Sequence, residues 1–82
     1  MTEQQILDAL TEIFRDVFDN PKLVITPQTT AEDIKDWDSV NHINIIVAAE
    51  SRFNVKFKTA EIEELKNVGE LVHLIHDRSN AA

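Results

Sequence analysis

Residues 36–53 of the chain read DWDSVNHINIIVAAESRF, a polar start followed by an apolar run. Asp38 is a residue type that caps helix N-termini, and neither proline nor glycine occurs between it and Gly69. At a helical step of about 100° per residue, the apolar positions separate into two stripes. The first stripe consists of Ile45, Ile46, Ala49 and Phe53, and the second of Val40, Ile43 and Val47. The stretch therefore predicts a helix over residues 39–52 with two apolar faces.

The two stripes differ in what they imply. The first is the side that a helical bundle would bury. The second is turned away from it, and it fits either a helix buried on two sides or an exposed strip that docks partner proteins. Because the second stripe begins beside Ser39, at the start of the helix, the docking interpretation is favoured.

The residues before this helix predict another helix and a long loop. Residues 3–18 carry apolar side chains at the i, i+3, i+4, i+7 spacing of an amphipathic helix. Thr2 and Gln5 fit a capping box at its start, and Asn20-Pro21 marks its end. Residues 19–38 show no sustained period, so they predict a long loop pinned by scattered apolar side chains.

The C-terminal part of the chain predicts two more helices. A short third helix is expected over residues 59–65 with Thr59 as its cap, and a fourth over 68–78 with Asn67 as its cap. A frayed tail is expected at 79–82. We therefore expect all 82 residues to form a single all-α domain, a small four-helix bundle with a long first connection and a short third helix.

Composition restricts the function. Fifteen Asp and Glu against eight Lys and Arg give a formal net charge of -7, which disfavours nucleic acid and anionic membranes and favours basic partner surfaces. The absence of cysteine excludes disulfides and thiolate chemistry on the chain itself. There is no signal-peptide pattern and no apolar run near the ~20 residues of a membrane span, so a cytoplasmic protein is expected.

Ser39 is the candidate site residue. It opens the predicted helix directly after the long loop, where the helix dipole and unpaired amides would stabilise an attached anionic group. Serine is also a common residue at helix starts, and position alone favours that ordinary role.

The stretch from Asp36 to Phe53 resembles the D-S-L attachment signature of acyl carrier proteins, and the order of elements, length and acidity also match that family. The resemblance implies that a phosphopantetheinyl transferase esterifies Ser39 with 4'-phosphopantetheine from coenzyme A. Acyl groups would travel as thioesters on the terminal thiol of this arm. It implies a monomeric carrier, not an enzyme, that presents its cargo to acyl-loading and acyl-using enzymes of the ligase, ketosynthase and acyltransferase class.

The resemblance also implies roles for two sets of residues. A recognition surface around Ser39 would consist of Asp38, Val40, Ile43, Asn44, Val47 and Glu50. The candidates to line a space for the acyl chain are Ile45, Ile46, Ala49, Ile62, Leu71 and Ile75. Ordinary core packing is the alternative for each member of the second set.

The charge pattern departs from that of fatty-acid-synthesis carriers. Those carriers are usually acidic just after the serine and one turn later, where this chain has Asn41 and Asn44. Between Ser39 and Phe53 the only charged residues are Glu50 and Arg52, which cancel. We therefore expect a specialised, stand-alone carrier for fatty-acid, polyketide or other acyl-transfer enzymes of its own.

Two alternative functions stay open. The chain could be an aminoacyl, peptidyl or D-alanyl carrier, although peptidyl carriers usually have glycines just before the serine motif, and none occur here. From a different class, it could be an unmodified helical adaptor that docks through the stripe of Val40, Ile43 and Val47.

Other functional interpretations of the polar residues have less support in the sequence. Ser39, His42 and Asp38 lack an evident oxyanion hole or pocket for a hydrolytic triad. No metal site is predicted, because His73 and His76 have the spacing of an ordinary helix face and the aspartates before Ser39 lack the glycine and final glutamate of a calcium loop. Trp37 is interpreted as an anchor that holds the end of the loop against the bundle.

Overall fold

A computed structural model describes residues 2–79 as helices joined by loops. The helices are α1 (Glu3–Val17), α2 (Ser39–Phe53), α3 (Thr59–Glu63) and α4 (Val68–Ser79). No strand occurs within residues 2–79, and the all-α bundle with a long first connection and a short third helix is confirmed.

The helix ends lie within two residues of those predicted. α1 stops at Val17, and Asp19 then takes a left-handed backbone conformation with φ 51°. α2 continues to Phe53, where Asn54 ends it in the left-handed conformation that asparagine tolerates better than most residues. α4 includes Ser79, the first residue of the expected frayed tail, and the rest of that tail, 80–82, lies outside the described residues.

Most of the predicted caps form. The capping box of Thr2 and Gln5 is present, with hydrogen bonds of 3.1 and 2.8 Å. Asn67 accepts from the backbone N–H of Glu70 at 2.8 Å before α4. The assignment of Thr59 as the cap of α3 was wrong, because Lys58 occupies that position and its backbone N–H donates to the Glu61 carboxylate at 2.9 Å.

The core lies between α1, α2 and α4. Each of these three helices buries one apolar face, and in α2 that face is the first of the two predicted stripes. The most deeply buried side chains are Ile6, Leu10, Phe14, Ile45, Ala49, Val68 and Ile75. Ile25 and Ile34 add buried side chains from the long loop, so apolar contacts pin this connection to the bundle.

Backbone hydrogen bonds also tie the long loop to the start of α4. The N–H of Val68 donates to the carbonyl of Thr29 at 2.9 Å, and the N–H of Gly69 donates to the carbonyl of Pro27 at 2.8 Å. A Cβ atom at position 69 would lie 2.8 Å from the Pro27 carbonyl oxygen. Glycine is therefore required here by the close approach of two backbones.

Gly69→Ala should lower the free energy of unfolding by about 1–3 kcal/mol, because the added methyl group forces the loop and α4 apart. The sign of this change identifies its cause, since a glycine to alanine substitution within a helix otherwise raises the free energy of unfolding by about 0.5–1 kcal/mol. Urea denaturation measures the change, and Ser51→Ala at an exposed position of α2 is the control. A Gly69→Ala chain as stable as the parent would show that the loop is not held at this point.

Candidate functional site

Ser39 stands exposed at the first position of α2. The carboxylate of Asp38 caps the helix by accepting from the backbone N–H of Asn41 at 2.8 Å, as the sequence predicts. The Asp38 carbonyl accepts from the N–H of His42, also at 2.8 Å. Within residues 2–79, the backbone N–H groups of Ser39 and Val40 have no hydrogen-bond partner, so they remain available at the positive end of the helix dipole.

Trp37 fixes the end of the loop just before this helix. Its indole ring meets Phe14 of α1 in an edge-to-face arrangement, with ring centroids 5.1 Å apart. Such aromatic pairs contribute about 0.5–1.5 kcal/mol beyond the burial of their surface. The position of Ser39 is therefore set by packing two residues earlier in the chain.

His42 bridges the loop end and α3. Its Nδ1 accepts from the indole Nε1–H of Trp37 at 3.1 Å, and its Nε2 lies 3.3 Å from the carbonyl oxygen of Ile62. Since the indole nitrogen only donates and a carbonyl only accepts, these partners require a neutral imidazole with its proton on Nε2. No pattern in the sequence predicts this bridge.

A cleft of about 510 Å³ opens beside Ser39, between the start of α2, α3 and the connection to α4. The apolar part of its lining comes from Ala31, Trp37, Ile43, Ile62, Leu65 and Leu71. The polar part comes from Asp38, Ser39, His42, Thr59, Glu63, Lys66 and Asn67. A group attached to Ser39 would thus begin at the edge of a largely apolar groove.

The residues predicted to line an acyl space fall into two groups. Ile62 and Leu71 line the cleft. Ile45, Ile46, Ala49 and Ile75 are buried in the core and are not among the residues of the cleft. Leu65 lines the cleft but was not predicted, although its position three residues after Ile62 places the two side chains on one side of the segment.

The second stripe of α2 is exposed. Val40, Ile43 and Val47 have exposed fractions of 69%, 52% and 57%, so α2 is not buried on two sides. Large apolar side chains that are exposed along one helix face are typical of interaction sites.

The polar residues of α2 have particular partners. The side-chain amide of Asn41 donates to the Asp36 carbonyl at 2.8 Å, which an aspartate at position 41 could not do. Asn44 is exposed and donates to the Asn41 side chain at 3.3 Å. The carboxylate of Glu50 accepts from the backbone N–H of Phe57 at 2.9 Å, so this residue holds the segment that leads to α3.

The geometry does not assemble a hydrolytic triad. The ring nitrogens of His42 face Trp37 and Ile62, and the Asp38 carboxylate is engaged in the helix cap. Among residues 2–79, no three histidine, aspartate or glutamate side chains gather in a way that could hold a metal ion. In the same part of the chain, no helix is long and apolar enough to cross a membrane.

Known proteins have sequences similar to this one over nearly the whole chain. The family model of the phosphopantetheine attachment site matches residues 8–75. An acyl carrier protein of Acidothermus cellulolyticus is 32% identical over 82 residues, which span 100% of this chain and 98% of that protein. The chain belongs to the acyl carrier protein family.

Two further acyl carrier proteins support the assignment. A meromycolate extension acyl carrier protein of Mycolicibacterium smegmatis is 30% identical over 74 residues, covering 90% of this chain and 75% of that protein. The solution NMR structure of a holo acyl carrier protein from Geobacter metallireducens matches with a TM-score of 0.83 and 48% identity. That match covers 89% of this chain and 84% of the solved one.

These findings confirm the predicted family, its carrier function and its covalently attached cofactor, 4'-phosphopantetheine. Acyl carrier proteins work with a phosphopantetheinyl transferase and with acyl-handling enzymes. The residues of this chain fit the group, because an exposed hydroxyl, two unpaired amides and an apolar cleft lie together at the start of α2.

Proposed function

We propose that this acyl carrier protein bears its 4'-phosphopantetheine arm on Ser39 and is itself not an enzyme. It presents acyl thioesters to partner enzymes in turn. The observation that carries the proposal is the exposed Ser39 hydroxyl at the first position of α2, beside the cleft.

The other two serines of the chain lie in less suitable places. Ser51 is exposed within α2, where a helix offers no unpaired amide to a phosphate. Ser79 is at the last position of α4, and its hydroxyl donates to the carbonyl of His76 at 3.2 Å. The negative end of the α4 dipole would oppose a phosphate there, whereas the start of α2 favours one.

Loading requires Ser39 to act as the nucleophile on coenzyme A held by the transferase. The Ser39 oxygen forms a phosphodiester with the phosphopantetheine phosphorus, adenosine 3',5'-bisphosphate leaves, and the hydroxyl proton passes to a base of the transferase. When bound, the arm supplies the thiol that forms thioesters. The unpaired N–H groups of Ser39 and Val40 would be available to bind the phosphate, and Ile62, Leu65 and Leu71 would offer apolar surface to the acyl chain.

Ser39→Ala should abolish loading. Incubation with coenzyme A and a broad-specificity phosphopantetheinyl transferase should raise the intact mass of the parent chain by one phosphopantetheine group and leave Ser39→Ala unchanged. Ser51→Ala, an exposed serine to alanine change in the same helix, is the control and should be loaded like the parent. Loading of the Ser39→Ala chain, or failure of the parent with several transferases, would contradict the proposal.

The exposed stripe of α2 is proposed as the surface on which partners dock. Val40, Ile43 and Val47 begin directly after Ser39, so an enzyme that reaches the arm also meets this stripe. Burial of an exposed valine in an interface is worth about 1.5–3 kcal/mol. Asn44 lies within the same helix face and Asp38 at its start, while the proposed role of Glu50 in recognition competes with its bond to Phe57.

Val47→Glu should lower the kcat/KM of the transferase by about tenfold, the equivalent of roughly 1.4 kcal/mol of lost apolar contact. The control is Val24→Glu, which changes an exposed valine of the long loop, outside α2. Loading of both variants at the rate of the parent would contradict the docking proposal. A Val24→Glu chain that is impaired as strongly as Val47→Glu would contradict it as well.

The neutral surface of α2 supports a dedicated set of enzymes. Within α2 the charges of Glu50 and Arg52 cancel, and Arg52 is paired with Glu12 of α1 at 2.9 Å. A partner whose docking surface is strongly basic would find no acidic groups along this helix after Asp38 other than Glu50. The acyl-loading and acyl-using partners are therefore proposed to dock mainly through apolar contact.

General fatty-acid ketosynthases and malonyl transferases should act slowly on this carrier in its loaded form, and Asn44→Asp should speed them about two- to fivefold at low salt. The gain should fall as salt rises. Gln28→Glu adds the same charge in the long loop and is the matched control. High rates with the parent chain would contradict the dedicated-partner proposal.

A carrier that meets a transferase and several enzymes in turn needs its α2 surface free. We therefore extend the proposal to a monomer that works in the cytoplasm. The net charge of -7 accords with protein partners rather than nucleic acid.

A further inference from the structure

The wall of the cleft formed by α3 is weakly held. α3 is five residues long and contains no fully buried residue, so its own hydrogen bonds cannot fix it, and Ile62 packs against the core only in partly buried form. The bond between His42 and the Ile62 carbonyl is its link to α2. On the other side of α3, Arg78 of α4 pairs with Glu61.

The opposite wall is the end of the long loop. Trp37 lines the cleft there, one residue before Asp38 and two before Ser39. Since the indole of Trp37 donates to the other ring nitrogen of His42, a single imidazole connects both walls of the cleft.

The hydrogen-bonded connection exists in only one protonation state. The neutral imidazole accepts at Nδ1 and donates at Nε2, which matches an indole N–H on one side and a carbonyl on the other. Protonation adds a hydrogen to Nδ1, where the indole also presents a hydrogen. The bond to Ile62 survives protonation, whereas the bond to Trp37 cannot.

We propose that His42 is a positioning residue for the cleft beside Ser39: its neutral form couples Trp37 to Ile62 through two hydrogen bonds, and its protonation breaks the bond to Trp37. In the protonated form the two walls of the cleft are no longer joined by hydrogen bonds through His42. This inference deepens the proposed function, because the cleft is the place where the acyl chain would lie.

Three charged side chains line the cleft together with the imidazole. Those that share the cleft with His42 are Asp38 from the loop, Glu63 from α3 and Lys66 from the connection that follows. The Asp38 carboxylate is held by the backbone N–H of Asn41. α4 contributes the apolar Leu71 to the cleft, and α1 reaches this region through the ring of Phe14 against Trp37.

The test is an NMR titration of the full chain from about pH 8 to pH 5, the range in which histidine changes charge. The imidazole nitrogen shifts should show the Nε2–H form of His42 at high pH. As His42 protonates, the indole N–H signal of Trp37 should lose its hydrogen-bond shift, and the amide of Ile62 should move with the same midpoint.

Three variants test which side chains cause the shared transition in this titration. His42→Gln supplies a donor and an acceptor that do not titrate, so it should abolish the shared transition of Trp37 and Ile62. Trp37→Phe keeps an aromatic ring against Phe14 but removes the N–H, and the response of α3 to His42 protonation should become smaller. His73→Gln changes an exposed histidine of α4 and should leave the transition intact.

An Nδ1–H tautomer at high pH would overturn the inference, and so would an undiminished transition in His42→Gln. A His42 titration that moves neither Trp37 nor Ile62 would overturn it as well. The titration is run on both the unmodified and the phosphopantetheine-bearing chain. A failure of attachment at Ser39 would therefore appear in the mass measurement, and the titration of the unmodified chain would still test the role of His42.

Discussion

The Trp37 indole packs edge-to-face with Phe14, and this contact lies at the end of a loop that begins where α1 stops. Ordering a loop costs about 1–2 kcal/mol of backbone entropy per residue, so a connection of this length stays in place only where side chains hold it. Ile25 and Ile34 hold its middle by burial. Trp37 holds its end. The Asp38 cap and Ser39 follow directly in the chain, so the aromatic contact of Trp37 with α1 determines the position of the site.

Acidic groups and exposed apolar side chains lie in different parts of the molecule. The net charge of -7 is not spread along α2, where Glu50 and Arg52 cancel and the exposed side chains after Ser39 are mainly apolar or amide. The amide at position 41 also has a structural reason, because Asn41 donates to the Asp36 carbonyl and an acid could not. Acidic groups gather instead in the loop before Ser39, where Asp33 accepts from the backbone N–H of Thr30.

Periodicity and capping chemistry were sufficient to predict the helices and the position of Ser39 at the start of α2. The inner stripe of α2 and the Asp38 cap are local properties that a sequence displays directly. The cleft, in contrast, is formed by residues that are distant from one another in the sequence. Ile62 and Ile75 have the same residue type, yet one lines the cleft and the other is fully buried, because tertiary packing decides which side chains meet. The bridge by His42 joins partners five and twenty positions away, so no spacing rule could reveal it.

The central claim is that the phosphopantetheine group sits on the one serine placed at a helix N-terminus. Cleavage after Lys35 and Arg52 releases residues 36–52, a peptide that contains both Ser39 and Ser51. Fragmentation of this peptide from the loaded, unmutated carrier by mass spectrometry separates the two serines directly. We predict that every fragment bearing the added mass includes Ser39 and that fragments containing Ser51 alone do not. The added mass on Ser51, or on a peptide outside residues 36–52, would contradict the claim.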